Sequence, residues 1–146
     1  MNAKTSLYEQ DFYAWSQQQA TLLRTGRVSE ADLENIAEEI ESMGKTEKRE
    51  LASRLTVLLL HLVQWRFQPM MRGRSGCLSI KGQRLDIRDL LDQNPSLKPI
   101  VSDAVGQAWP RALIEAEKET GLEASNFPVA CPWAAEALLD DDFWPD

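Results

Sequence analysis

Apolar positions recur along this chain at intervals of three and four and almost nowhere in strict alternation. Tyr8, Phe12, Trp15, Gln19 and Leu22 trace one stripe of a first helix, predicted over about 7–25. Ser6-Leu7-Tyr8-Glu9 has the form of a capping box at its start, and Gly26 suits a left-handed end. Ser29 opens a second helix, with Glu30, Asp32 and Glu34 against the positive end of its dipole. Its expected buried stripe is Leu33, Ile36, Ala37, Ile40 and Met43. Gly44 then reads as a break and Thr46 as a new cap, so that two antiparallel helices follow one another. The rival is a single long helix bent at Gly44, since glycine costs only ~1 kcal/mol in a helix interior.

The third predicted helix, about 46–68, carries Leu51, Leu55, Leu58, Leu62 and Trp65 on one stripe, with Leu60, Val63 and Phe67 beyond it. An element apolar over most of its circumference belongs at the centre of a bundle. Pro69 stops it. Residues 70–76 read as a loop, and a helical period returns over 77–92 through Cys77, Ile80, Ile87 and Leu91. A further helix spans about 96–120, expected to kink at Pro110, with Gly106 four residues earlier easing the crowding by the proline ring. Gly121-Leu122 resembles a Schellman ending, and a short helix near 132–139 completes the chain. With no repeat and no strand ladder, the pattern predicts an all-α fold: one domain over 1–146, a bundle of about five to six helices.

At 146 residues a single core can form without metal or disulfide staples. Cys77 and Cys131 are expected to be small buried hydrophobes rather than a disulfide. The start of the chain lacks the apolar run of a secretion signal. The longest apolar run, 55–63, is too short for a bilayer and contains His61. These features point to a soluble, cytoplasmic protein without membrane association. A net charge of −7 argues against bulk binding to nucleic acid.

The charge is unevenly spread. Arg66, Arg72, Arg74, Lys81 and Arg84 occur within 66–84 without one acid. Such a segment can hold an anion or a nucleic-acid strand; the plainer expectation is pairing with the acidic last third, including Asp140, Asp141 and Asp142. Glu34, Glu38 and Glu41 share a face that should be solvated. Asp32 and Glu39 border the buried stripe, where ion pairs with Arg49 or Arg54 are the default and perturbed acid–base groups the alternative. In the expected hairpin, position 61 falls opposite about 28 and 57 opposite about 32. Asp32 could then orient His61, the only histidine, as a general base. Asp32, Glu39, His61 and Arg84 are therefore the candidate catalytic or ligand-binding residues. Glu-x-x-His pairs and multi-histidine zinc sites are absent, so no metal and no cofactor is expected.

LYEQDFYAW at 7–15, LLRTGR at 22–27, DLENIAEEIESMGK at 32–45, LLLHL at 58–62, IKGQR at 80–84 and NPSLKP at 94–99 occur in this order. With TGL and FP…CPW near the end, they make the chain resemble the uncharacterised, mainly bacterial family known as domain of unknown function 29. The resemblance implies a compact helical domain and supplies no reaction. It marks Asp11, Trp15, Asp32, Glu38, Glu39, His61 and Arg84 as recurrent positions without roles. Where the family usually carries a tryptophan, this chain has Gly76-Cys77. The function expected is a non-enzymatic interaction module with a protein partner or a second copy, the tail DDDFWPD suiting a basic groove. The alternatives are a ligand-binding protein or enzyme built on a carboxylate and histidine pocket, and a nucleic-acid accessory protein using 66–84.

Overall fold

A computed structural model describes residues 6–146. Six α-helices follow in order: α1 (Leu7–Gln10), α2 (Phe12–Arg24), α3 (Leu33–Phe67), α4 (Arg74–Gln93), α5 (Val101–Thr120) and α6 (Ala135–Leu138). No strand occurs among the described residues, so the fold is all-α. The chain divides into two compact units, one ending at Thr46 and one spanning Glu47–Asp146. The helix α3 starts in the first and continues into the second.

The first unit departs from the expected single helix over 7–25. Asp11 leaves helical geometry, with φ −150° and ψ 88°, and separates α1 from α2, and its carboxylate accepts the Ala14 amide at 3.0 Å. The cap therefore lies at Asp11, and Ser6 makes no side-chain cap bond. The end is as expected: Gly26 has φ 75°, with Arg27 N–H bonded to the Leu22 carbonyl and Gly26 N–H to that of Leu23. This is the Schellman pairing that a left-handed glycine allows. The second start moves from Ser29 to Leu33, because 28–30 form a 3₁₀ turn and Asp32 accepts the first-turn amide of Asn35.

The break at Gly44 does not form. The helix runs unbroken for 35 residues from Leu33 to Phe67. The apolar phase explains why: Leu33 and Leu51 are 18 residues apart, five full turns at 3.6 residues per turn. One register thus serves both halves. Their environments differ sharply. Leu51, Leu55, Leu58 and Leu62 are fully buried, whereas Leu33, Ile40 and Met43 are 53%, 58% and 62% exposed. The stripe expected to be buried over 33–43 is largely open, and α3 is a central helix only from Leu51 onward.

The second unit packs α4, α5 and α6 around that later half, with Ile80, Ile87, Ala112, Ala116 and Leu138 wholly buried. The expected loop at 70–76 is shorter than predicted, a 3₁₀ turn at 69–71, and α4 already begins at Arg74. The helix expected from 96 begins at Val101, after a 3₁₀ stretch over 95–100 that holds two prolines. It continues through Pro110. Gly121 is left-handed at φ 73°, but the ending is the simpler single-bond form: its N–H bonds Glu117, while the Thr120 hydroxyl takes Leu122 N–H. Both cysteines are free and half-buried, and burial pushes the Cys131 thiol up.

Candidate functional site

In the first unit, three aromatic rings gather from α1 and α2. Tyr8 meets Trp15 edge-on at 4.6 Å, and Phe12 lies 5.5 Å from Trp15. They deliver two donors to the carboxylates of α3. The Trp15 indole N–H bonds Asp32 at 3.1 Å, the Asn35 amide bonds the same oxygen at 2.8 Å, and the Tyr8 hydroxyl bonds Glu39. Gln19, itself buried, accepts the Asp32 backbone N–H at 2.7 Å. The ion pairs with Arg49 or Arg54 expected for these two carboxylates do not form among the described residues. Arg54 instead binds Glu50, one turn before it, and Asp86, both at 3.0 Å.

These contacts set the protonation states. The Asn35 and Trp15 donors hold the Asp32 carboxyl below the usual aspartate range, and the bond to Glu39 pushes the Tyr8 phenol up to about 12. Tyr8 is thus a fixed donor, and Asp32 an acceptor that anchors α2 to the start of α3. A carboxyl depressed in the folded state contributes stability above its unfolded value near ~3.9, and that contribution fades as pH falls through the lower folded value. Acid titration of the Trp15 indole NMR signal should therefore show its hydrogen bond lost at a pH below the ordinary aspartate range. In Asp32→Asn this late step should vanish. An unchanged acid profile in that variant would contradict the assignment.

The antiparallel juxtaposition that would bring Asp32 to His61 requires the turn at Gly44, and a continuous α3 has no such turn. Asp32 and Glu39 belong to the first unit, His61 and Arg84 to the second. His61 is half-buried and lines a cleft of about 340 Å³ with Gln64, Trp65, Gln68, Ser75 and Glu119. Gly76 opens onto the same cleft. Glu119 is held by the Gln64 amide, and no hydrogen bond to His61 is formed among the described residues.

Arg84 has a different role from the one its place in the basic segment suggested. It is completely buried, its Nε donates to the Leu138 carbonyl at 2.7 Å, and its Nη2 donates to the Phe143 carbonyl at 2.7 Å. Its guanidinium lies 5.3 Å over the Trp144 ring, which packs 4.7 Å from Trp65. Arg88 binds the Leu139 carbonyl and the Asp141 carboxylate, and Arg72 binds the Pro145 carbonyl and caps Trp65. The acidic tail does dock onto basic residues of this molecule. It does so mainly through main-chain carbonyls, with Asp141 to Arg88 the one ion pair that Asp140, Asp141 or Asp142 forms among the described residues. Burial works against the charge of Arg84, which the nearby Asp141 and Asp140 support. Arg66, Arg74 and Lys81 remain exposed.

Sequence reasoning missed one cluster. Arg49, Ser53 and Thr56 on α3 face Gln107 and Arg111 on α5 across a cleft of about 620 Å³, floored by Ala52 and Ala108. Its signal was present as spacings of four and three on α3 and of four on α5. No group of three His, Cys, Asp or Glu side chains able to hold a metal lies among the described residues, and no helix is long and apolar enough to cross a membrane.

The architecture is that of a small all-helical protein with tyrosine–carboxylate and arginine–carbonyl clasps. The sequence model described as Domain of unknown function DUF29 matches residues 7–144, nearly the whole chain, and the protein belongs to that family. No curated protein and no solved structure matches it.

Proposed function

We propose that this chain is a non-enzymatic interaction module whose docking surface is the open face of α3 over 33–43, and that 1–146 acts as one domain. One observation carries the reading: the stripe that is fully buried from Leu51 to Leu62 is continued, in phase, by Leu33 and Ile40, with Met43 about a quarter turn to its side, all three at more than half exposure. Large aliphatic side chains in one stripe, each exposing apolar surface worth ~25 cal/mol per Å² once covered, are a surface prepared for a partner. The dispersal of the candidate acid–base residues supports the non-enzymatic side. The engagement of Arg72 and Arg84 by the tail weighs against the nucleic-acid alternative.

The rim defines the occupant. Glu34, Glu38 and Glu41 are exposed beside the stripe, with Glu39 on its other flank. A second copy would set these glutamates against their own counterparts, whereas an amphipathic helix bearing Lys or Arg around an apolar strip meets them favourably. The test uses a designed 18-residue Leu/Lys amphipathic peptide, its Leu/Glu analogue and calorimetry. The Lys peptide should bind, the Glu analogue should not, and Ile40→Glu should weaken binding by about tenfold or more, or ~1.4 kcal/mol. Simple charge attraction predicts the opposite for Ile40→Glu, which adds a negative charge. Tighter binding by that variant, or a wild-type dimer that Ile40→Glu dissociates, would overturn this assignment of the partner.

A further inference from the structure

We infer that the cleft between α3 and α5 is a binding site for a small phosphorylated molecule. Its lining combines two arginines, which only donate hydrogen bonds, with a serine, a threonine, a glutamine and two alanines. Arg49 and Arg111 face it from opposite helices, and neither takes part in an ion pair among the described residues. Ser53 and Gln107 add a hydroxyl and an amide, neither engaged in a hydrogen bond with another described residue. Thr56 is different, its hydroxyl being turned back onto the Ala52 carbonyl at 2.8 Å. No carboxylate lines the cleft. Arg27, Arg54 and Arg88 are ion-paired; Arg49 and Arg111 are not, and what sets them apart from the other unpaired arginines is that they share one cleft with no carboxylate in its lining.

The chemistry selects an anion with several oxygens. Each guanidinium presents a planar fork that engages phosphate in a bidentate manner, and two forks on separate helices can share one dianion. The floor favours close approach, because Ala52 and Ala108 leave no long side chain to fill the space. A volume of about 620 Å³ exceeds an inorganic phosphate and accommodates a phosphate ester of a small polyol or sugar. In that placement the arginines take the phosphoryl group, while Gln107 and Ser53 meet hydroxyls of the organic part. The adjoining depression extends the cleft along α5 past Ile114 to Glu115, whose carboxylate is already paired with Lys118 at 3.4 Å. This site is separate from the open face over 33–43, so either reading stands without the other.

The experiment is titration of the full chain with glycerol 3-phosphate, pyrophosphate, glycerol and citrate, followed by calorimetry and by arginine side-chain NMR signals. Saturable binding of the two phosphates, with glycerol silent and citrate weaker, is the expected result. Arg49→Gln and Arg111→Gln should each weaken phosphate binding by about tenfold and the double variant should abolish it. Arg74→Gln, an exposed arginine outside the cleft, should bind as the wild type does. Thermal melts must coincide across these surface variants, so that loss of binding is not loss of fold. Absence of saturable binding, equal binding of citrate and the phosphates, or binding that survives the double variant would each overturn the assignment.

Discussion

Arg84→Ala is expected to destabilise the second unit by about 3 kcal/mol or more, the largest loss from any single polar side chain in this fold. Two main-chain carbonyls, of Leu138 and Phe143, lose a charged donor at 2.7 Å, and a side chain of zero exposure leaves a void beneath Trp144. Hydrogen bonds to a charged group contribute about 1.5–3 kcal/mol each, and stranded buried carbonyls add their desolvation cost. Arg84→Lys keeps the charge yet places one point donor where a fork serves two acceptors, so it should recover only part of the loss. Arg84→Met keeps the volume without donors and separates packing from hydrogen bonding. Urea midpoints at constant slope measure the differences, and a tail freed over 139–146 should become protease-sensitive in the alanine variant. If Arg84→Ala unfolds with the wild-type midpoint and an uncut tail, the clasp is not what holds these residues.

That role was legible in the sequence, though at a different place from the one that drew notice. Ile80, Ile87 and Leu91 define the buried stripe of α4, and Arg84 fills the intervening position of the same spacing, an arginine in a core register. Reading it with Arg66, Arg72, Arg74 and Lys81 as a basic surface patch treated linear density of charge as spatial density. The all-helical class and the core from Leu51 to Val63 followed from apolar period alone, because burial imposes that period directly. The first unit was less legible. Its layout depends on Asp11 leaving helical geometry and on Asp32 meeting Trp15 from another helix, a contact that no local pattern encodes. Each half of the Arg49–Arg111 cleft left its spacing in the sequence, but nothing local pairs the two halves, since Thr56 and Gln107 are already about fifty residues apart.

Gly44→Pro should cost about 3 kcal/mol or more, while Gly44→Ala should stabilise by up to ~1 kcal/mol. Both signs follow from the continuity of α3. Gly44 is not among the left-handed glycines, and a Cβ built there meets nothing within 4 Å, so alanine enters without strain and lowers the entropy of the unfolded chain. Proline removes the bond from residue 44 to the Ile40 carbonyl and crowds that carbonyl with its ring. In a hairpin turning at residue 44 the outcomes would reverse: a left-handed glycine would penalise alanine, and proline near a helix end would be tolerated. Helical ellipticity at 222 nm, urea midpoints and amide exchange over 40–48 decide between them. A stabilising alanine and a damaging proline would fix α3 as one rod. Only on a continuous rod do Leu33 and Ile40 continue the face of Leu51, with Met43 flanking them, and so present the strip that the proposed partner covers.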